Sequence, residues 1–149
     1  MIKNILVPVD FSDVTESLMR HARELARALG ASVCLLHVEA PEPYFVGYKP
    51  GPQSVRDSVA REIRQDNRRL FELRDGLLRE GIESKALLLQ GPTAEAILKE
   101  AKRLQADLIV IGSHGRGALY HLLLGSVSNS VLAASPCPVL IVRSVDEKR

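Results

Sequence analysis

The chain has 149 residues, 46% hydrophobic and 26% charged, enough for a single domain over residues 1–149 that buries roughly 68–70% of its unfolded surface. A formal net charge of +2 gives no argument for DNA or an anionic membrane surface, and 4% aromatics without tryptophan exclude a stacking platform for single-stranded nucleic acid. Cys34 and Cys137 are too few for a zinc ribbon, no run reaches the ~20 apolar residues of a membrane span, and no leader pattern opens the chain, so the expectation is a cytoplasmic protein with neither membrane nor nucleic acid as partner.

Ile2 to Val9 is a β-branched apolar run ended by Pro8 and Asp10, which predicts a buried strand. Ser12 or Asp13 is placed to cap the next helix, with Glu16 three residues after Asp13 as in a capping box. Val14, Leu18, Ala22, Leu25, Ala26 and Leu29 recur at helical spacing, and Gly30 closes the helix. Ser32 to Val38 predicts a second strand. Residues 40–54, with four prolines and two glycines, predict a loop or lid. Val55 to Glu80 predicts an amphipathic helix with Val59, Ile63, Leu70, Leu73 and Leu77 inward, ended by Gly81. Its arginines, interleaved with Glu62, Asp66 and Glu72, read as a solvated face. Ile82 to Gln90 is a third strand, and Gly91-Pro92-Thr93 starts a helix that turns Ala94, Ile97, Leu98, Ala101 and Leu104 inward. Leu108 to Ile111 is a fourth strand, Ser126 to Ala134 a helix, and Val139 to Arg143 a fifth strand.

Strands alternating with helices predict an α/β fold: a doubly wound, five-stranded parallel sheet with helices on both faces. Right-handed crossovers favour the order 3-2-1-4-5, with a ligand crevice where the order reverses, between strands 1 and 4. That order brings Asp10 beside Gly112. The segment from Gly112 to Ser128 carries Gly112, Gly115 and Gly125, with Ser126 directly after the last, between an apolar strand and a helix. Backbone N–H groups free of side chains, followed by a helix N-terminus, form a cradle for phosphate, so a nucleotide is the expected ligand.

With these residues side by side, the chain resembles the universal stress protein family over nearly its full length. The family's nucleotide signature is Gly, two residues, Gly, nine residues, Gly, then Ser or Thr, and Gly112, Gly115, Gly125 and Ser126 satisfy it. Further matches are Ile-Leu-Val-Pro-Val-Asp-Phe-Ser (5–12), His37-Val38, Gln-Gly-Pro (90–92) and Pro-Cys-Pro-Val-Leu-Ile-Val-Arg (136–143). The resemblance implies an ATP-binding, cytoplasmic stress protein, commonly a homodimer. Gly117 departs from the larger residue, often Thr, that many members carry.

Within this reading Gly112 leaves room for nucleotide at the end of strand 4, and Gly115 turns the loop. Gly125 and Ser126 open the helix toward phosphate. Val127 and Ser128 complete the phosphate contacts by the resemblance. Pro8, Val9 and Val38 form the adenine wall, with Ile111 beside Gly112. Asp10 accepts from a ribose hydroxyl, holds Mg²⁺ that binds phosphate, or caps the first helix; the residues leave all three open. Arg116 and His114 are the candidate side-chain cations near phosphate, and no obvious group orients His114 as a base. The role of His37 stays open, and His121, among leucines, reads as structural. No lysine lies between Lys102 and Lys148 and no Gly-Lys-Ser/Thr occurs, which predicts ATP held as a regulatory ligand with at most weak hydrolysis. A slow ATP hydrolase, or a dimeric interaction module with no physiological nucleotide, remain as alternatives. The apolar edge Val139 to Val142 is the expected homodimer contact.

Overall fold

The computed structural model describes residues 1–39, 52–114 and 124–144. Among these, strands and helices alternate: β1 (Asn4–Pro8), α1 (Thr15–Leu29), β2 (Ser32–Glu39), α2 (Gln53–Arg79), β3 (Ser84–Gln90), α3 (Thr93–Arg103), β4 (Leu108–Gly112), α4 (Ser126–Ala134) and β5 (Val139–Val142). All strand pairs are parallel and the order is β3-β2-β1-β4-β5, the order expected from right-handed crossovers. Register brings Ile5 opposite Val33 on one side and opposite Leu108 on the other.

Side-chain alternation sorts each inner strand onto two faces. Ile5, Val7, Val33, Leu35, Leu108 and Val110 pack under Leu18, Ala22 and Ala26 of α1 and Leu70 and Leu77 of α2. Leu6, Cys34, Leu36, Ile109 and Ile111 pack under Ile97 and Ala101 of α3 and Val131 of α4. Full burial of such side chains is worth about 1.5–3 kcal/mol each. Cys34 belongs to this packing: burial pushes its thiol up to about 11. At the opposite end from the crevice, the Asp107 carboxylate accepts from the N–H groups of Lys3 (2.8 Å) and Asn4 (2.9 Å), tying the start of β1 to the start of β4.

Four local expectations are corrected. No side chain caps α1, which begins at Thr15 with Val14 as N-cap; Ser12 and Asp13 do not serve there. The Asp10 carboxylate instead accepts the Ser12 N–H at 3.0 Å, forming an Asx turn around Phe11, whose φ is +60°. Helix α2 starts at Gln53, so the predicted loop ends earlier; residues 40–51 of it lie outside the described residues. The third strand starts at Ser84, because Ile82 belongs to the end of α2. Gly81, at φ +79°, takes the left-handed position, the Ile82 N–H donates to the Leu77 carbonyl, and both of those side chains are buried. Finally, Asp66 is not on a solvated face: it is 4% exposed.

Candidate functional site

Between β1 and β4 the chain order reverses, and a cleft of about 670 Å³ opens at the carboxyl ends of the strands. That volume falls in the range of small-molecule sites, ~300–1,000 Å³. Pro8, Val9, Asp10, Val38, Ile111, Gly112, Gly125, Ser126, Val127 and Ser128 all line it. Of the residues singled out in the sequence, Gly115 and Arg116, with Gly117 and His121, lie outside the described residues.

The end of α4 that faces the cleft is held firmly. The Gly125 N–H donates to the Ser113 carbonyl at 2.6 Å, and the Ser128 hydroxyl donates to the Gly112 carbonyl at 2.5 Å. Gly125 is extended (φ −68°, ψ 163°), and its carbonyl accepts the first helical bond from Asn129. The N–H groups of Ser126, Val127 and Ser128 are therefore the helix donors that no earlier turn can satisfy, at the positive end of the helix dipole. The hydroxyl of Ser128 anchors the helix to β4.

Gly112 carries a packing constraint that the sequence did not suggest: a Cβ there would lie 2.5 Å from Cγ1 of Val14, where α1 packs on β4. Asp10 is half-buried at the cleft, and one of its carboxylate oxygens accepts the Ser12 N–H. His114, for which the sequence offered no orienting group, has one: its Nε2 lies 3.0 Å from Asp13 Oδ1 and its Nδ1 3.2 Å from Ser113 Oγ. Asp13 was read as a helix cap, and its tie to His114 explains why it is not one.

The opposite end of the cleft is acidic. Glu39, Glu62 and Asp66 line it together with His37, whose Nδ1 lies 2.6 Å from the Val9 carbonyl oxygen and whose Nε2 lies 3.0 Å from Glu39 Oε1. Phe11 stacks at a tilt on the His37 ring, and Arg69 covers Phe11. Among the described lining residues there is no lysine or arginine. Sequence reasoning missed Asp66, although a signal was present. Asp66 falls three residues after Ile63 and four before Leu70, in phase with the inward stripe of α2.

A doubly wound parallel sheet, a crevice at its switch point and a helix N-terminus at that crevice place the chain in the class of open α/β proteins, whose fold puts ligand crevices outside the strand ends. Residues 1–143 match the Universal stress protein family, and the chain belongs to it. It is 39% identical over 145 residues to the universal stress protein in the QAH/OAS sulfhydrylase 3′ region of Thermus aquaticus, covering 96% of this chain and 100% of that one. It is 31% identical to universal stress protein YxiE of Bacillus subtilis, again over 96% and 100% of the two chains. Among solved structures, MJ0577 superposes with a TM-score of 0.81 at 28% identity, over 99% of each chain. The universal stress protein of Archaeoglobus fulgidus in complex with dAMP superposes at 0.66 with 26% identity, over 95% of this chain and 99% of that one.

Proposed function

We propose that this chain is a regulatory stress-response protein of the cytoplasm that holds ATP in the β1/β4 cleft. The observation that carries the reading is the N-terminus of α4, pinned to β4 by Gly125 and Ser128 so that the N–H groups of Ser126, Val127 and Ser128 open into a cleft of nucleotide size. Charge decides the orientation. Carboxylates crowd the β2/α2 end, so a triphosphate is favoured at the α4 end; Gly115 and Arg116 complete the phosphate contacts by the family signature. The nucleoside then lies against Pro8, Val9, Val38 and Ile111. The second carboxylate oxygen of Asp10, with no hydrogen-bond partner among the described residues, accepts from a ribose hydroxyl or holds Mg²⁺ that in turn binds phosphate. The dAMP complex of the Archaeoglobus relative supports an adenine nucleotide as the ligand class. The protein pairs as a homodimer through the edge strand Val139–Val142.

A second reading, slow hydrolysis, draws on one observation: Asp13 orients His114 at the rim of the cleft, as a general base requires. Phosphoryl transfer also needs electrostatic stabilisation, which in most such sites comes from lysine, arginine and metal. Turnover is expected well below the ~1–10³ s⁻¹ of typical enzymes.

Gly125→Val tests the site. The extended backbone at Gly125 accepts a β-branched residue, so the substitution costs at most about 1–2 kcal/mol of stability through the lost cap preference. ATP affinity measured by calorimetry falls by more than tenfold, because the isopropyl group enters the space at the helix end. Unchanged affinity in a folded Gly125→Val protein refutes the assignment. Mass spectrometry of nucleotide carried through purification identifies the ligand and whether it remains a triphosphate.

A further inference from the structure

His37 stands on the β2 face that carries Val33 and Leu35, and Asp66 stands on the α2 stripe that carries Leu70 and Leu77. Two surfaces that otherwise bury apolar side chains against each other thus meet through a histidine 5% exposed and an aspartate 4% exposed. A carbonyl oxygen only accepts, so the Nδ1 held against the Val9 carbonyl carries a proton and donates it. In the neutral ring the lone pair is then on Nε2. That atom faces Glu39 Oε1 at 3.0 Å and Asp66 Oδ2 at 3.7 Å. An imidazole nitrogen and two carboxylate oxygens, three groups able to ligate a metal, thus converge on one point.

We propose that His37, Glu39 and Asp66 form a binding site for a divalent first-row transition ion of the zinc or cobalt type. Metal–ligand bonds of about 2.1 Å give tetrahedral edges of about 3.4 Å, and the 3.0 and 3.7 Å separations bracket that value. The three donor atoms lie within 4.8 Å of one another. Fixing Nδ1–H on a backbone carbonyl is the arrangement that orients a ligating histidine and directs Nε2 to metal. Asp66 Oδ1 lies 3.6 Å from Arg69 Nη1, so a cation already stands beside the cluster on the side of α2. An imidazole donor favours zinc or cobalt over magnesium and calcium. All three residues line the cleft, which leaves a coordination position open toward it. Asp10 is not one of its ligands, and the site joins α2 to the ends of β2 and β1.

The test is Co²⁺ titration followed by visible absorption, with Zn²⁺-dependent thermal unfolding beside it, on metal-free protein without nucleotide. Wild type is expected to bind one equivalent and to unfold at a temperature that rises with Zn²⁺ concentration. His37→Asn keeps an amide N–H for the Val9 carbonyl but lacks the second ring nitrogen. It is expected to fold and to lose metal affinity on the order of 100-fold or more. Glu39→Gln, at the rim of the cluster, is the second variant and weakens binding in the same direction. No binding by wild type, wild-type affinity in both variants, or displacement of Co²⁺ by equimolar Mg²⁺ each overturns the proposal.

Discussion

Replacing Gly112 by alanine separates two explanations for a glycine at the heart of the cleft. A methyl group there would lie 2.5 Å from Val14 Cγ1 and 3.6 Å from Val14 Cβ. Carbon pairs rest at about 3.5–4.0 Å, so the first contact is about 1 Å too close. Val14 cannot yield easily: it is 1% exposed, its β-branched side chain is stiff, and it sits at the head of α1. The clash is relieved by shifting α1 against β4, a kind of overpacking that costs about 1–3 kcal/mol. Val14→Ala alone removes buried carbon and costs about 1.5–3 kcal/mol. In the double variant the new methyl occupies space that Val14 vacates, so the combined loss is smaller than the sum, by about 0.5–3 kcal/mol. Equilibrium urea unfolding without nucleotide, at equal denaturant slopes, measures all three. Additive losses, or a Gly112→Ala protein within about 0.5 kcal/mol of wild type, refute the packing argument. The opposing explanation, a methyl competing with ligand, predicts intact stability and weakened ATP binding.

Two other perturbations test the frame around the site. The N–H groups of Lys3 and Asn4 hold the Asp107 carboxyl below the usual carboxylate range. A depressed acid stabilises the fold above its unfolded value of ~3.9 and loses that contribution as pH falls through its folded value. The gap in urea midpoint between wild type and Asp107→Asn should therefore be full at pH 7 and shrink below about pH 4; a gap that stays constant with pH refutes the assignment. On the edge strand β5, Leu140 is 36% exposed, and Leu140→Lys is expected to convert a dimer to a monomer in sedimentation velocity. A wild-type chain that sediments as a monomer refutes pairing through this edge.

Strand positions and strand order were legible in the sequence because both rest on strong rules. Strands buried on both faces read as apolar runs, and right-handed crossovers leave few ways to order them. The turn after β1 was not legible. Asp10, Ser12 and Asp13 are all good capping residues, and composition alone does not say that Asp10 closes an Asx turn while Asp13 goes to His114. Ile82 continues an apolar run, yet the left-handed Gly81 before it commits it to the end of α2. Asp66 was lost by sorting α2 into charged and apolar residues instead of following its phase. Its neighbour His37 was left open because a single polar residue at the end of an apolar strand has no partner in the sequence. Only the crossing of α2 over β2 joins the two. At the cleft, the glycine and serine pattern located the end of α4 that lines it, but not the hydrogen bonds that hold that end.

Those two bonds, from the Gly125 N–H to the Ser113 carbonyl and from the Ser128 hydroxyl to the Gly112 carbonyl, clamp the chain on both sides of residues 115–123. The donors of α4 are thereby set in place by residues 112–113 and 125–128 themselves, so the cost of ordering this helix end is met in folding and not at the moment a ligand arrives.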